Sequence, residues 1–401
     1  QFDTLAGVRA TLAARQGAVA EIDQYLEDPL FRERMHTAER QSKEAYRLSA
    51  HLQDAVDPMP NDRVEWIRER AGQHLQRGGS FAAIDLTAAN LAGMDFAGCD
   101  FTAALLEGVD FSGCNLAGCR FDKAVLARAN LAGASLVGAS LREANLGEAN
   151  LADADFSDAV LEGAILRGAH FARARFVGAS FEKVNLMGGA DFREADLSGS
   201  NAADVVLLDA DLRGLVCRNA CLDRAAFVRC NLSGSDFSGT SFERAAFIEV
   251  KASGTVFAGA RLVKTVFVGV NVLDGANFSG AEINTCNFRP ASMRSTRFDR
   301  ARIRESDFSS ADLSSATFAA ADATDCRFVK ADLREATMAG AKLMNSSFAR
   351  ARLEAADLRE TNLYGADLAR VAIDTETRFD RALTTKARVF PRRRDPGTVP
   401  S

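Results

Sequence analysis

Ala144-Asn145-Leu146-Gly147-Glu148-Ala149-Asn150-Leu151-Ala152-Asp153-Ala154-Asp155-Phe156 contains one five-residue phrase three times over. Each copy is a small residue, then Asn or Asp, then a large apolar residue, then two variable positions. A period of five matches neither the 3.6 residues of an α-helix nor the two of a plain strand. It does match short extended segments joined by tight corners, each sending one large and one small side chain inward.

The frame extends far in both directions. From Phe81 every fifth residue is large and apolar, through Phe96, Leu131, Leu146 and Phe156 to Leu186. One extra residue enters at Gly188-Gly189-Ala190, and the frame restarts at Phe192 and runs to Val272. A second extra residue is expected near Gly275-Ala276, after which the frame runs from Phe278 through Phe308 to Ile373. One more slip brings in Phe379. Of the 27 Phe, all but Phe2, Phe31 and Phe390 fall in this frame, beside only 3 Tyr and 1 Trp. Such selection for one aromatic indicates a single packing niche repeated many times. The slot two before the central residue is small, usually Ala. Six of the eight cysteines (Cys99, Cys114, Cys119, Cys230, Cys286 and Cys326) sit in it. Free Cys serves well as a small apolar filler, and no CxxC or Cys/His cluster points to disulfides or a metal.

The pattern A(D/N)LXX resembles the pentapeptide-repeat family over residues 81–379. That resemblance implies an all-β solenoid, a right-handed quadrilateral β-helix with four pentapeptides and twenty residues per coil. Stacking at the strand spacing of about 4.8 Å would then give a rod of roughly 70 Å. Beyond Phe278, Phe recurs every ten residues, which places it on opposite faces with aliphatic residues between. The polar slot before the central residue, as at Asp155, Asn185, Asp196, Asn231 and Asp312, reads as turn chemistry, since Asn and Asp bond nearby backbone.

Residues 1–77 read as a helical linker and N-terminal cap, 78–379 as the solenoid and 380–401 as a basic, flexible C-terminal tail with Arg388 and Arg392-Arg393-Arg394. Leu5, Val8, Leu12, Val19, Ile22 and Leu26 suggest an amphipathic helix broken at Asp28-Pro29. A polar helix follows through Tyr46, Leu48 and Leu52. Asn61 is expected to N-cap a short helix ended by Gly78-Gly79. An uncovered first coil exposes strand edges and open core, so Trp66 and Ile67 are expected to cover it.

Nothing in the sequence indicates an enzyme. His36, His51, His74 and His170 have no partners at metal-ligand or triad spacing. There is no P-loop, nucleophile elbow or glycine fingerprint, no cofactor motif, and no apolar run long enough to span a membrane. The expected function is a non-catalytic protein-interaction scaffold or adaptor in a bacterial cytoplasm, binding protein rather than nucleic acid. A helical region feeding a long repeat array, with Gly79-Ser80-Phe81-Ala82-Ala83-Ile84-Asp85-Leu86 at the junction, also resembles the C-terminal half of bacterial type VI secretion accessory proteins. That resemblance implies a role in effector loading. One alternative is DNA mimicry toward a topoisomerase such as gyrase. Residues 78–374 hold about 38 acidic and about 31 basic residues, a net near −7. That is dilute against duplex DNA, with one charge per about 1.7 Å of axis. Another alternative is a targeting module for an active domain upstream of Gln1. A blunt C-terminal coil near Ile373 would permit a homodimer by end-to-end stacking.

Overall fold

The computed structural model describes residues 28–184, 186–187 and 190–389. The expected first helix over Leu5 to Leu26, the Gly188-Gly189 bulge, Asn185, Phe390 and the Arg392-Arg393-Arg394 run lie outside the described residues.

The chain divides into two units, with the boundary after Ala55. The described part of the first is α1 (Pro29–Ser49) followed by a short 3₁₀ turn (Ala50–Leu52). Asp28 caps α1, its carboxylate accepting from the Leu30 N–H at 2.9 Å, and Pro29 fits the first turn, where no N–H is needed.

The second unit opens with α2 (Asn61–Gln76). Asn61 is not its N-cap: Pro60 holds that slot without a side-chain bond, and Asn61 is already helical. The C-terminal end follows the glycine expectation. Gly78 has φ +64°, its N–H bonds the Leu75 carbonyl, and the Gly79 N–H bonds that of His74. Only a residue free of a Cβ adopts this conformation without strain.

After α2 the chain winds as a solenoid of parallel rungs. Asp85 pairs Leu105, Asn90 pairs Asp110, Asp95 pairs Asn115 and Asp100 pairs Arg120, so a coil has four sides and advances twenty residues. The central residue's N–H reaches one coil ahead (Phe96 to the Asn115 carbonyl, 2.8 Å), and the rung's N–H reaches one coil back (Asn115 to the Met94 carbonyl, 3.1 Å). Every short side therefore satisfies its backbone through its neighbours, which is what lets three-residue segments persist as sheet. On two sides the segments form named strands. One sheet is β1 (Leu186–Met187), β2 (Val206–Leu208), β3 (Ala226–Val228), β4 (Ala246–Ile248) and β6 (Val266–Val268). The other is β5 (Arg261–Val263), β7 (Glu282–Asn284), β8 (Arg302–Arg304) and β9 (Asp322–Thr324).

The interior is one continuous apolar column. Phe rings stack on those a coil away, as in Phe227–Phe247–Phe267 at 4.9 and 4.7 Å between centroids. Phe278 stacks on Phe298 at 5.1 Å and meets Phe288 edge-on at 6.0 Å, the opposite-face arrangement expected from the ten-residue recurrence. Stacked and edge-to-face pairs are the favoured aromatic geometries.

Three further expectations need correction. The second extra residue does not enter at Gly275-Ala276. The buried sequence runs Phe267, Leu273, Phe278, so the insertion is at Gly269-Val270-Asn271 and Val272 is not a central residue. Asn271 anchors that bulge: its side chain accepts from the Val250 N–H at 2.9 Å and donates to the Val268 and Gly269 carbonyls. The array also does not stop at Phe379. Ile373 is 55% exposed, one residue is inserted after it, and the rungs continue with Leu383 on Asn362 and Arg388 on Asp367. Residues 380–389 therefore belong to the last coil and not to a flexible tail. Finally, Trp66 does not cover the first coil. It is 55% exposed, with the Arg70 guanidinium 4.9 Å above its ring. Ile67, Ala71 and Leu75 pack on the core instead, and His74 meets Phe81 edge-on at 4.8 Å. On an α-helix residues 67, 71 and 75 share a face that residue 66 does not.

Candidate interaction surface

Each repeat has four chemically distinct slots around its central residue. Two before it is the small slot. At many positions where Ser, Thr or Cys replaces Ala there, the side chain donates to a carbonyl of the preceding coil: Ser235 to Leu212 (2.6 Å), Thr255 to Leu232 (2.8 Å), Thr265 to Phe242 (2.6 Å), Cys119 to Phe96 (3.0 Å). These carbonyls already accept a turn bond from the backbone, as Phe242 does from Ala245. The added donor uses the second lone pair. Burial pushes the thiols up, Cys119 and Cys326 to about 12 and Cys230 and Cys286 to about 11. Every described cysteine is a free thiol, and the slot ones are unreactive filler.

One before the centre is the rung slot, where Asn and Asp accept from the N–H two residues on. Asp155 takes Ser157 (2.9 Å), Asp196 takes Ser198 (2.9 Å), Asn231 takes Ser233 (3.2 Å) and Asp312 takes Ser314 (3.1 Å). When Arg follows the centre it clamps the same carboxylate. Arg193 beside Asp191, Arg213 beside Asp211 and Arg334 beside Asp332 hold those carboxyls below the usual range. Two after the centre is the corner, in the left-handed region for charged and small residues alike, as in Asp209 (φ +54°) and Arg229 (φ +52°). Corner side chains stack at coil spacing and pair: Arg173 with Asp153 at 2.7 Å, Arg224 with Asp204 at 2.5 Å, Arg229 with Asp209 at 2.8 Å. The carboxylate arrays are thus turn and ladder chemistry.

Phe96, Leu131, Leu146, Phe156, Leu186, Phe192, Phe278 and Phe308 are all buried in the interior column and present nothing to a partner. Among the described residues no group of His, Cys, Asp and Glu could hold a metal ion, and no helix is long and apolar enough to cross a membrane. His74 bonds the Ser80 carbonyl at 2.9 Å and acts as part of the end cover. A narrow hollow lies inside the column between Phe181, Leu207 and Phe227, where Leu and Cys217 replace Phe. Its lining is wholly apolar, so no reacting group converges on it.

What sequence reasoning did not single out is the outer face of the first sheet. The residues flanking its buried centres are Val206 and Leu208, Ala226 and Val228, Ala246 and Ile248, Val266 and Val268. Across four consecutive coils every outward side chain is apolar. Val206 is 43% exposed, Val268 49%, and the inserted Val270 72%. The second sheet presents Arg261, Glu282, Asn284, Arg302, Arg304 and Asp322 in the same positions. The stripe was visible in the sequence to a reader sampling the outward slots every twenty residues instead of the inward ones every five.

The repeat register is matched independently by the family model described as pentapeptide repeats, in eight copies over residues 84–122, 119–158, 154–188, 190–227, 225–262, 272–309, 311–348 and 346–372. The chain belongs to the pentapeptide-repeat family. The matched copies break between 262 and 272, where the structure places its second insertion.

Solved structures with a similar fold include HetL, a pentapeptide repeat protein involved in heterocyst differentiation regulation from the cyanobacterium Nostoc, at 22% identity over 62% of this chain and 87% of that one, TM-score 0.18. QnrB1, a plasmid-mediated fluoroquinolone resistance protein, matches at 18% identity over 44% of this chain and 90% of that one, TM-score 0.23. A thylakoid-lumen pentapeptide repeat protein of Arabidopsis thaliana matches at 30% identity over 29% of this chain and 71% of that one, TM-score 0.15. At these TM-scores the likeness carries no functional argument. No curated protein matches the chain.

Proposed function

We propose that this chain is a non-catalytic protein-interaction scaffold whose solenoid presents flat, fixed faces to protein partners. The observation that carries the reading is where the chemistry goes. The rung carboxylates accept backbone N–H bonds, corner charges pair between coils, and the slot thiols donate to carbonyls, so the reactive residue types are engaged in holding the coil. What the molecule offers outward is a rigid grid of side chains about 4.8 Å apart along the axis. Such a grid suits recognition of an extended surface better than chemistry in a pocket.

The specific form favoured is an adaptor for effector loading in bacterial type VI secretion, supported by the helical region that precedes the array and by the Gly79–Leu86 junction. The test is capture with the full chain as bait in lysate of a type VI-positive bacterium, read by quantitative mass spectrometry. Enrichment of spike or effector proteins over a bait carrying charge reversals on the second sheet is expected. Recovery of neither sinks the adaptor reading.

Topoisomerase inhibition by DNA mimicry has weaker support. Mimicry needs uninterrupted negative charge, and the corner ladders here alternate sign through Arg173 on Asp153, Arg224 on Asp204 and Arg229 on Asp209. A gyrase supercoiling assay is expected to show no inhibition.

A further inference from the structure

We infer that the apolar stripe on the first sheet is a lateral dimer interface, occupied by a second copy of this chain running antiparallel. The inference is independent of the scaffold reading, because three sides of each solenoid stay free.

The row before the buried centres runs Val206, Ala226, Ala246, Val266 and reads the same in both directions. A two-fold axis across the solenoid, between the β3 and β4 coils, sets Val206 over Val266 of the partner and Ala226 over Ala246. Two large residues then meet at each end, with small ones at the middle. The second row, Leu208, Val228, Ile248 and Val268, maps onto itself with aliphatic residues throughout. Self-complementarity of one patch is what an isologous contact requires.

The flanking corners respond to the same operator. Asp204 and Lys264, on one edge of the stripe, come to face each other between copies. Arg229 and Glu249 do so on the other edge. Among the described residues Lys264 and Glu249 have no ion pair within 4 Å in their own chain; Glu249 attracts Arg229 from one coil away, and Asp209 holds Arg229 through two bonds of 2.8 Å. Arg224 comes opposite Arg244, but Asp204 holds it through two bonds of 2.5 and 2.6 Å, which screens that contact. Position along the array permits the antiparallel sense without loss of overlap. The stripe spans 206–268, and the rungs run from Asp85 to Arg388, so its centre is near theirs.

Four coils by one three-residue side give on the order of 200 Å², against about 800 Å² per partner in a stable interface. The stripe is then the core of a small contact, and a weak dimer populated only toward high protein concentration is expected.

Sedimentation velocity of the full chain from about 1 to 300 μM reads this directly. A concentration-dependent shift from monomer to dimer is expected. Ile248→Asp should remove it while leaving the far-UV spectrum and melting temperature of the monomer in place. A mixture of Ala226→Cys and Ala246→Cys proteins should form a disulfide-linked heterodimer under mild oxidation, and neither variant alone should. The inference is overturned if the wild type stays monomeric throughout. It is equally overturned if Ile248→Asp still dimerises, or if Leu383→Asp at the last coil abolishes the dimer and Ile248→Asp does not. That last result would assign end-to-end stacking.

Discussion

The two sheets of the solenoid are the same object seen from inside and different objects seen from outside. β3 and β8 each bury one central residue, Phe227 and Ile303, and leave two flanking residues outward. Both sheets pair in parallel at twenty-residue register. Outward, β3 carries Ala226 and Val228, and β8 carries Arg302 and Arg304. In this fold the interior determines whether a coil forms, and the outward positions are free to vary without altering it. The first sheet uses that freedom to keep charge away from four consecutive coils.

The largest effect should come from breaking the part the sheets share. Phe247 is fully buried and stacks on Phe227 and Phe267. Phe247→Ala removes a ring from the middle of a stack that cannot collapse around it, because backbone bonds fix the coil spacing. A loss of about 3–5 kcal/mol is expected, and of about 2–5 kcal/mol for the equally buried Ile283→Ala in the second sheet. Equilibrium denaturation in urea measures both. A cost below 1 kcal/mol in either would mean the interior is looser than its close packing implies.

Most of this division was legible in the sequence, and the residues show why. A central Phe or Leu every five positions is a strong periodic signal, so the coil, its core and the first insertion could be read directly. The second insertion was misplaced because Val272 is apolar and fits the old frame as well as Leu273 fits the new one. The burial of Leu273 and the rung pairing of Val272 with Ser292 separate them. The last coil was cut short for a related reason: Ile373 looks central but is turned out before an inserted residue. Trp66 misled because its size suggested burial, whereas its place on the helix sets its direction. The interaction stripe was missed because its information sits at twenty-residue spacing in positions that the five-residue pattern leaves variable.

A middling effect separates the small slot from mere filling. Thr265, beneath Phe267 in the first sheet, donates to the Phe242 carbonyl at 2.6 Å while fully buried. Thr265→Val keeps the shape and deletes the donor, so a loss of about 1 kcal/mol is expected. Thr265→Ala should cost more, adding a void to the lost bond. Denaturation curves showing valine equal to wild type would reduce the slot to a volume requirement.

Acid should distinguish the sheets. Arg304 of β8 grips Asp322 of β9, with Nη2 to Oδ2 at 2.6 Å, and holds that carboxyl below its usual range. A depressed folded value means the contribution is complete above the unfolded value of about 4 and is lost as pH falls through the folded one. Asp322→Asn should therefore flatten part of the fall in stability below pH 4, read from urea midpoints at successive pH values. The named strands of the first sheet carry no titratable residue, so Val228→Asn should leave the slope of that fall unchanged.

The smallest effect belongs to the corners. Arg229 and Asp209 meet through two bonds of 2.8 Å at the edge of the first sheet, but both side chains are about half exposed. Solvent screens such a pair, and fixing two long side chains offsets part of the Coulomb gain, so it is worth under about 1 kcal/mol. Each corner residue, however, also occupies the left-handed backbone region. Arg229→Gly would remove the pair and relieve that strain together, whereas Arg229→Ala removes the pair alone. The glycine variant should match or exceed wild-type stability, and the alanine variant should lose a few tenths of a kcal/mol. A glycine variant less stable than the alanine one would mean that the ladder, and not the backbone, governs the corner.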